Sequence, residues 1–179
     1  VFALLVVRFG SIFVAFVANV VFPPSRMRSF ELPFEQSKFF ETFAAWDSGW
    51  YFDIARRGYY WSADGQSSVA FFPLYPLSIR ALAWPFGGGD QALWLSAIVV
   101  SGAAYFLALV ALHRFAERVC GDRETARRTV LYLSIFAFAL FFTRVYAESV
   151  FLLTSVLAVS RAHEEKWWRA GLWGALATL

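Results

Sequence analysis

Long apolar stretches separated by short polar ones run along the whole chain. Residues 2–22 are apolar apart from Arg8 and a few small polar side chains, and Pro23 and Pro24 follow them. Because a helix rises 1.5 Å per residue, this stretch covers about 30 Å, the thickness of a bilayer core. The pattern predicts a membrane-spanning helix that the two prolines end.

The rest of the chain contains further predicted spans. Residues 92–112 carry no charge. Residues 129–160 would be about 48 Å long as one helix, which exceeds a single crossing. Since a polar cluster at 143–149 divides them, we predict two short helices joined by a turn. The predicted spans are residues 2–22, 92–112, 129–143, 148–161 and 168–179.

The polar residues 23–70 form a predicted outer loop, and its second half contains a helical pattern. In DSGWYFDIARRG, residues 47–58, the side chains of Trp46, Trp50 and Ile54 fall on one stripe and Gly58 is a stop signal. This spacing predicts an amphipathic helix that lies on the membrane surface.

Residues 71–86 are apolar, but Pro73, Pro76 and Pro85 interrupt them and Arg80 adds a charge. The segment is too short and too broken for an ordinary span. It favours an interfacial or re-entrant helix.

The composition agrees with this pattern, since 59% of the residues are hydrophobic and 16% are charged, against roughly 25% charged in soluble domains. We therefore expect an all-α, polytopic membrane protein. Residues 1–179 form one transmembrane helix bundle with a large first outer loop, and we expect it to be a fragment of a longer protein. We expect membrane lipids to surround this bundle.

The net charge and the cysteine content exclude several kinds of partner. The net charge of +3 is too small and too dispersed for a nucleic-acid partner. A single cysteine, Cys120, provides neither a disulfide framework nor a CxxC metal site. We expect no metal and no cofactor.

Two basic segments set the expected orientation. Residues 113–128 and 161–169 are predicted loops rich in arginine and lysine, and such loops stay in the cytoplasm. The loop 23–70 and the turn 143–149 then lie on the opposite face. Asp47, Arg144 and Glu148 can therefore meet, although roughly 100 residues separate them.

Ionisable residues at membrane depth are costly and are often functional. Four fall at such positions: Arg8, Arg80, Arg144 and Glu148. Arg8, near the predicted cytoplasmic end of its helix, is interpreted as snorkelling to the surface. Arg144 and Glu148 are spaced i, i+4, so both a helix-end ion pair and a catalytic role stay open.

Asp47 has two interpretations that are compatible with each other. Aspartate is a preferred N-cap, and Asp47 comes just before a predicted helix. Alternatively, it is a general base, partly desolvated between Trp46 and Trp50. Arg56 and Arg57 either complement the C-terminus of the same helix or, with Arg80, hold a phosphate.

Three segments together resemble a known family. They are WDSGWYFDIARRGY at 46–59, AFFPLYPL at 70–77 and YAESVF at 146–151. Their order resembles the PIG-V family, whose eukaryotic members add the second mannose during GPI-anchor assembly. The resemblance covers nearly the whole chain.

The resemblance implies a multi-pass GT-C glycosyltransferase of the bacterial plasma membrane, or of the endoplasmic reticulum in a eukaryote. Its active site would face the periplasm or lumen. The implied donor is a polyprenyl- or dolichyl-phosphate mannose, and the implied acceptor is a lipid-linked or cell-envelope glycan, or a glycolipid.

The resemblance also implies roles for single residues. Asp47 would be the general base of an inverting transfer, and Glu148 would assist nearby. The candidates for substrate binding are Trp46, Trp50, Asp53, Arg56, Arg57, Tyr75, Arg80, Arg144 and Tyr146. Two other functions stay open: a transporter or flippase, because broken helices and buried charges also mark transporters, and a non-catalytic membrane subunit.

Overall fold

The computed structural model describes residues 2–22, 33, 37–44, 46–63 and 65–179, the first four of them by their backbone alone. Much of the first half of the predicted outer loop, and the two prolines predicted to end the first helix, lie outside the described residues. The described α-helices are α1 (Phe2–Val21), α2 (Lys38–Glu41), α3 (Ser48–Arg57), α4 (Leu74–Ala83), α5 (Asp90–Cys120), α6 (Arg123–Ile135), α7 (Glu148–His163) and α8 (Trp167–Ala177). Short 3₁₀ helices cover Ser68–Ala70, Trp84–Phe86 and Ala137–Thr143.

The described residues contain helices and no strands, which confirms the all-α prediction for that part of the chain. Among them α5 alone is long and apolar enough to cross a bilayer by itself. A second span is obtained if α6 and the 3₁₀ helix after it are counted together. The polytopic arrangement stays a prediction.

The long helix α5 organises the fold. It packs against α4, α6 and α7, and α7 in turn packs against α8. The main core lies beside the first third of α5, where Trp94 meets α3, α4 and the segment between Thr143 and Glu148. A smaller cluster around Tyr105 joins α5 to α6.

Helix α3 corrects the predicted surface helix. Tyr51, Phe52, Ile54 and Ala55 are buried against the core, so one face of α3 is part of the bundle interior. The predicted stripe was wrong because Trp46 precedes the helix in a turn and does not share its face. The predicted stop is confirmed, since Gly58 has φ 90° and its N–H bonds to Ile54.

Helix α4 begins directly after Pro73 and runs for 10 residues. Tyr75, Ile79 and Ala83 recur at helical spacing and are all buried, which turns one apolar face toward α5. The early prolines fit the first turn, where their missing N–H has no helical partner.

The basic segment 113–128 is not a loop, contrary to the prediction. Helix α5 continues through it to Cys120, and α6 begins at Arg123, so Gly121 and Asp122 alone separate the helices. Arg118 then pairs with Glu164, in the connection between α7 and α8. The two basic segments therefore meet at one end of the bundle.

The predicted span at 129–143 contains a sharp bend in the structure. The chain bends by 83° between α6 and the 3₁₀ helix that follows, and Phe136 at the bend is extended. Arg8 from α1 reaches this bend and donates a hydrogen bond of 3.1 Å to the carbonyl of Ala139. Its guanidinium lies 4.2 Å from the centre of the Tyr105 ring. Arg8 is thus turned into the bundle, and the snorkelling interpretation is wrong.

Candidate functional site

A hydrogen bond joins the two distant motifs. The backbone N–H of Asp47 donates to the phenol oxygen of Tyr146 at 2.8 Å, across 99 residues of sequence. Just beside it, the N–H of Val145 donates to the carbonyl of Phe43 at 3.0 Å. These two bonds fix the turn before α3 against the turn before α7, so Asp47 lies within one site with the residues around Tyr146.

Asp47 occupies the N-cap position of α3 but does not cap the helix. Its side chain makes no capping hydrogen bond and is exposed. Asp122 provides the contrast within the same chain, because its carboxylate accepts from the N–H groups of Glu124 and Thr125 at 3.1 and 2.7 Å. Hydrogen bonds from Thr125 and Glu124 hold the pKa of Asp122 below its ordinary value. The capping interpretation therefore describes Asp122 and is wrong for Asp47.

Trp46 and Trp50 do not enclose Asp47, contrary to the sequence interpretation. The Trp50 ring stacks on Phe71 with the centroids 5.5 Å apart. Trp46 is 72% exposed and packs on Phe141 at 5.6 Å. The carboxylate is accordingly exposed rather than desolvated between indoles.

The backbone at Trp46 is held in an unusual conformation. Its φ of 42° lies in the left-handed region, where a residue other than glycine costs about 1–3 kcal/mol and persists because its surroundings enforce it. The Arg144 guanidinium lies over the Trp46 indole, 5.3 Å from the ring centre. This contact places a cation on the ring of the residue that precedes Asp47.

Arg144 and Glu148 do not pair with each other. Among the described residues Arg144 has no ion pair, and its burial lowers its pKa from the ordinary value, although an arginine remains charged. The helix-end ion pair that the i, i+4 spacing left open is therefore wrong. The Arg144 guanidinium lies over the Trp46 ring, whereas Glu148 lines a cavity.

Tyr146 is anchored from both sides. Its carbonyl accepts from Ser101 of α5 at 3.4 Å, and Ser101 is hydrogen-bonded to the Tyr75 hydroxyl at 2.7 Å. Burial raises the pKa of the Tyr146 phenol to about 12, so the phenol stays neutral and can accept the Asp47 N–H throughout the physiological range. The position of Asp47 is thus tied to the core through Tyr146.

A partly open cavity of about 220 Å³ lies behind this turn. Glu148 is one of its lining residues, and its Oε2 atom is buried with no hydrogen-bond partner in the described part of the chain. The remaining walls are aromatic or aliphatic: Tyr51, Phe72, Leu74, Tyr75, Ala147, Val150, Phe151, Leu176, Ala177 and Leu179. A buried carboxylate oxygen in an apolar cavity is costly unless a donor reaches it.

Tyr51 interacts with both carboxylates and is the residue that the sequence interpretation missed. It is 8% exposed. Burial raises its pKa, and the negative charges of Glu148 and Asp47 raise it further. The phenol therefore remains a donor. A signal was present in the sequence, since Tyr51 is four residues, about one helical turn, after Asp47.

The other predicted substrate-binding residues lie toward the far end of α3. Asp53 is buried and pairs with Arg57 at 3.2 Å, and Arg56 pairs with Asp90 at 2.8 Å. Arg80 donates to the carbonyl of Arg56 at 3.2 Å. The structure does not bring these side chains to Asp47, and their role in substrate binding stays a prediction.

One family matches this chain over its whole length. The profile of the family described as Mannosyltransferase (PIG-V) matches residues 1–179. There is no significant match among curated proteins or among solved structures. The profile covers both turns that meet at Asp47 and Tyr146, and the members of this family are membrane proteins. The chain therefore belongs to the PIG-V mannosyltransferase family.

Proposed function

We propose that this chain holds the active site of a GT-C-type enzyme. The enzyme transfers a mannosyl unit, with inversion, from a polyprenyl- or dolichyl-phosphate mannose to a hydroxyl of a lipid-linked or cell-envelope glycan. Membership of the mannosyltransferase family supports a glycosyltransferase. The choice of Asp47 as general base depends on one observation: its carboxylate is exposed and uncapped, although Tyr146 holds its backbone firmly. A base must be free to reach the proton that it removes.

The proposed step uses these groups as follows. The Asp47 carboxylate takes the proton of the acceptor hydroxyl while that oxygen bonds to the anomeric carbon of mannose. The bond between the anomeric carbon and the phosphate oxygen breaks on the opposite face, and its electron pair leaves with the lipid phosphate. Asp47 ends protonated. Because a lipid phosphate is already a good leaving group, no strong acid is needed.

Arg144 is the best candidate to hold the donor phosphate. The sequence left four arginines open, and Arg56, Arg57 and Arg80 are each engaged within the fold. Arg144 has no ion pair among the described residues and lies over Trp46, the residue before Asp47. A guanidinium offers paired donors that match phosphate oxygens and stabilise the charge that develops on the leaving group.

The location of the site supports an extracytoplasmic reaction. The site lies beside Ser101, whereas the basic cluster lies around Arg118, 17 residues and about 25 Å further along α5. Since short basic segments favour the cytoplasm, we place Asp47 on the periplasmic or luminal side. A map of labelled cysteines that puts Asp47 in the cytoplasm would contradict this placement.

The decisive experiment replaces Asp47 by Asn in the full-length protein and measures mannose transfer from lipid-phosphate mannose. Asn keeps the shape but cannot accept the proton, so we expect transfer to fall by roughly 100-fold or more. The Asp47→Glu variant should retain part of the activity.

Asp122→Asn is the matched control, because Asn also caps helices well and Asp122 lies at the opposite end of α5. It should transfer mannose at the wild-type rate. Normal transfer by Asp47→Asn would refute the role of Asp47. Substrate flux without any transfer by the wild-type protein would instead favour a transporter.

A further inference from the structure

We propose that the cavity behind Asp47 is a binding subsite for a sugar ring, and that Glu148 and Tyr51 hold a hydroxyl group of that ring. The inference rests on the proposed function. It adds the position of a sugar and two residues that recognise it. Neither residue carries out the chemical step.

One oxygen atom of the Glu148 carboxylate has no hydrogen-bond partner among the described residues. The Oε2 atom of Glu148 is buried without a hydrogen-bond donor among the described residues, although Glu148 borders an open space. A hydrocarbon chain in this space would leave the oxygen without a donor, whereas a sugar hydroxyl would provide one. A hydrogen bond to a charged group is worth more than one between neutral groups.

Tyr51 and Glu148 form a pair of hydrogen-bond donor and acceptor along the same cavity. The Tyr51 phenol stays protonated and borders the same cavity as the Glu148 carboxylate. A hydroxyl group both donates and accepts, so it can bond to both side chains at once. The Tyr75 hydroxyl is already bonded to Ala97 and Ser101, so Tyr75 offers only its ring to the cavity.

The size and shape of the cavity also suit a single sugar ring. The cavity of about 220 Å³ is smaller than the roughly 300–1,000 Å³ of sites for drug-sized ligands. One sugar ring is smaller than such a ligand, whereas a long prenyl chain is not. Aromatic side chains such as Tyr51 and Phe72 form flat apolar walls, which suit the C–H faces of a sugar.

The test is a thermodynamic cycle that combines two changes. One removes a hydroxyl group from the substrate, and the other removes the carboxylate of Glu148 from the protein. Full-length wild-type protein and the Glu148→Gln variant are given mannosyl donors that lack one hydroxyl at a time, and then acceptors modified in the same way. With the wild-type protein, loss of the recognised hydroxyl should lower kcat/KM by about 10- to 100-fold. With Glu148→Gln, the same loss should change kcat/KM by less than about threefold, because the bond is already gone.

The two series identify the source of the sugar. Coupling to a deoxy donor places the transferred mannose in the cavity, and coupling to a deoxy acceptor places the acceptor sugar there. Tyr51→Phe should be coupled to the same hydroxyl. Glu117→Gln and Tyr132→Phe, whose side chains lie outside the cavity, serve as matched controls and should behave as the wild-type protein does.

The proposal is overturned if the effects of Glu148→Gln and of every deoxy analogue on kcat/KM simply multiply, because no hydroxyl would then be coupled to Glu148. It is also overturned if Glu148→Gln changes the dependence on prenyl chain length, since the cavity would then hold the lipid. In either case the proposed function survives if Asp47→Asn is inactive while the wild-type protein transfers mannose. Absence of wild-type transfer refutes both.

Discussion

The hydrogen bond between Asp47 and Tyr146 allows a sharp test of how the site is positioned. Replacing Tyr146 by Phe removes the phenol oxygen that accepts the Asp47 N–H at 2.8 Å. The ring should stay in place, because it packs on Phe141 at 5.2 Å and is only 4% exposed. The substitution therefore changes one hydrogen bond and little else.

The size of the effect follows from that single bond. A neutral hydrogen bond contributes about 0.5–1.5 kcal/mol net, and the exposed turn at Asp47 lets water replace part of it. Stability should fall by about 1 kcal/mol or less, a small part of the 5–15 kcal/mol that is typical of folded proteins. If the bond acts by placing the carboxylate, the same energy lowers kcat by up to about fivefold, with little change in the KM for the donor.

Tyr105→Phe is the matched control. Tyr105 is also a buried tyrosine whose phenol makes one hydrogen bond, of 3.0 Å to Ser134, away from Asp47. The two variants should lose similar stability in thermal melts in detergent, and only Tyr146→Phe should lose kcat in the transfer assay. If both variants keep the wild-type kcat, Tyr146 does not position Asp47. If both lose it equally, the loss reflects general weakening of the fold.

Two further predictions concern the rest of the bundle. Arg8→Leu leaves the Ala139 carbonyl without its donor and should lower the free energy of unfolding by about 1–3 kcal/mol; an unchanged value in detergent unfolding would contradict the role assigned to Arg8. Glu164 should make stability dependent on pH, because hydrogen bonds from Lys166, Arg118 and Arg161 hold its pKa well below the ordinary carboxyl value. Its contribution is present in full above about pH 4.3, the ordinary glutamate pKa, and is lost progressively as the pH falls further. The melting temperatures of the wild-type protein and Glu164→Gln should therefore differ at pH 7, and the difference should shrink steadily as the pH falls below that value.

The sequence predicted the parts of the fold that depend on local composition. The uncharged run at 92–112 is the centre of α5, and Gly58 ends α3 because a glycine accepts its φ of 90°. The end of α5 could also have been predicted. Gly121 followed by Asp122 is a stop signal followed by an N-cap, but the arginines around them favoured a loop. The charged residues of segment 113–128 predicted a loop, but most of them lie on the surfaces of α5 and α6.

The bend at Phe136 could not be predicted locally. The residues around it, LSIFAFAL at 133–140, include neither proline nor glycine to mark a break. The bend is stabilised by a contact that is distant in sequence, because Arg8 bonds to Ala139 across 131 residues. The charge of Arg8 within a predicted span indicated that its guanidinium needs a partner inside the bundle. The sequence pattern did not identify Ala139 as that partner.

The two carboxylates of the site are best understood through their different surroundings. Asp47 is exposed and follows Trp46, the residue whose ring lies under Arg144, whereas the Oε2 atom of Glu148 is buried at the wall of an apolar cavity. Carboxylates in unlike environments take unlike roles, as pairs in other active sites do. An exposed carboxylate can exchange protons with a mobile acceptor and with water, so it suits the base. A buried one suits recognition, because the bond it makes to a hydroxyl is strengthened by the absence of competing water. Tyr51 stays protonated and interacts with both carboxylates, so it can donate a hydrogen bond within the cavity that Glu148 lines.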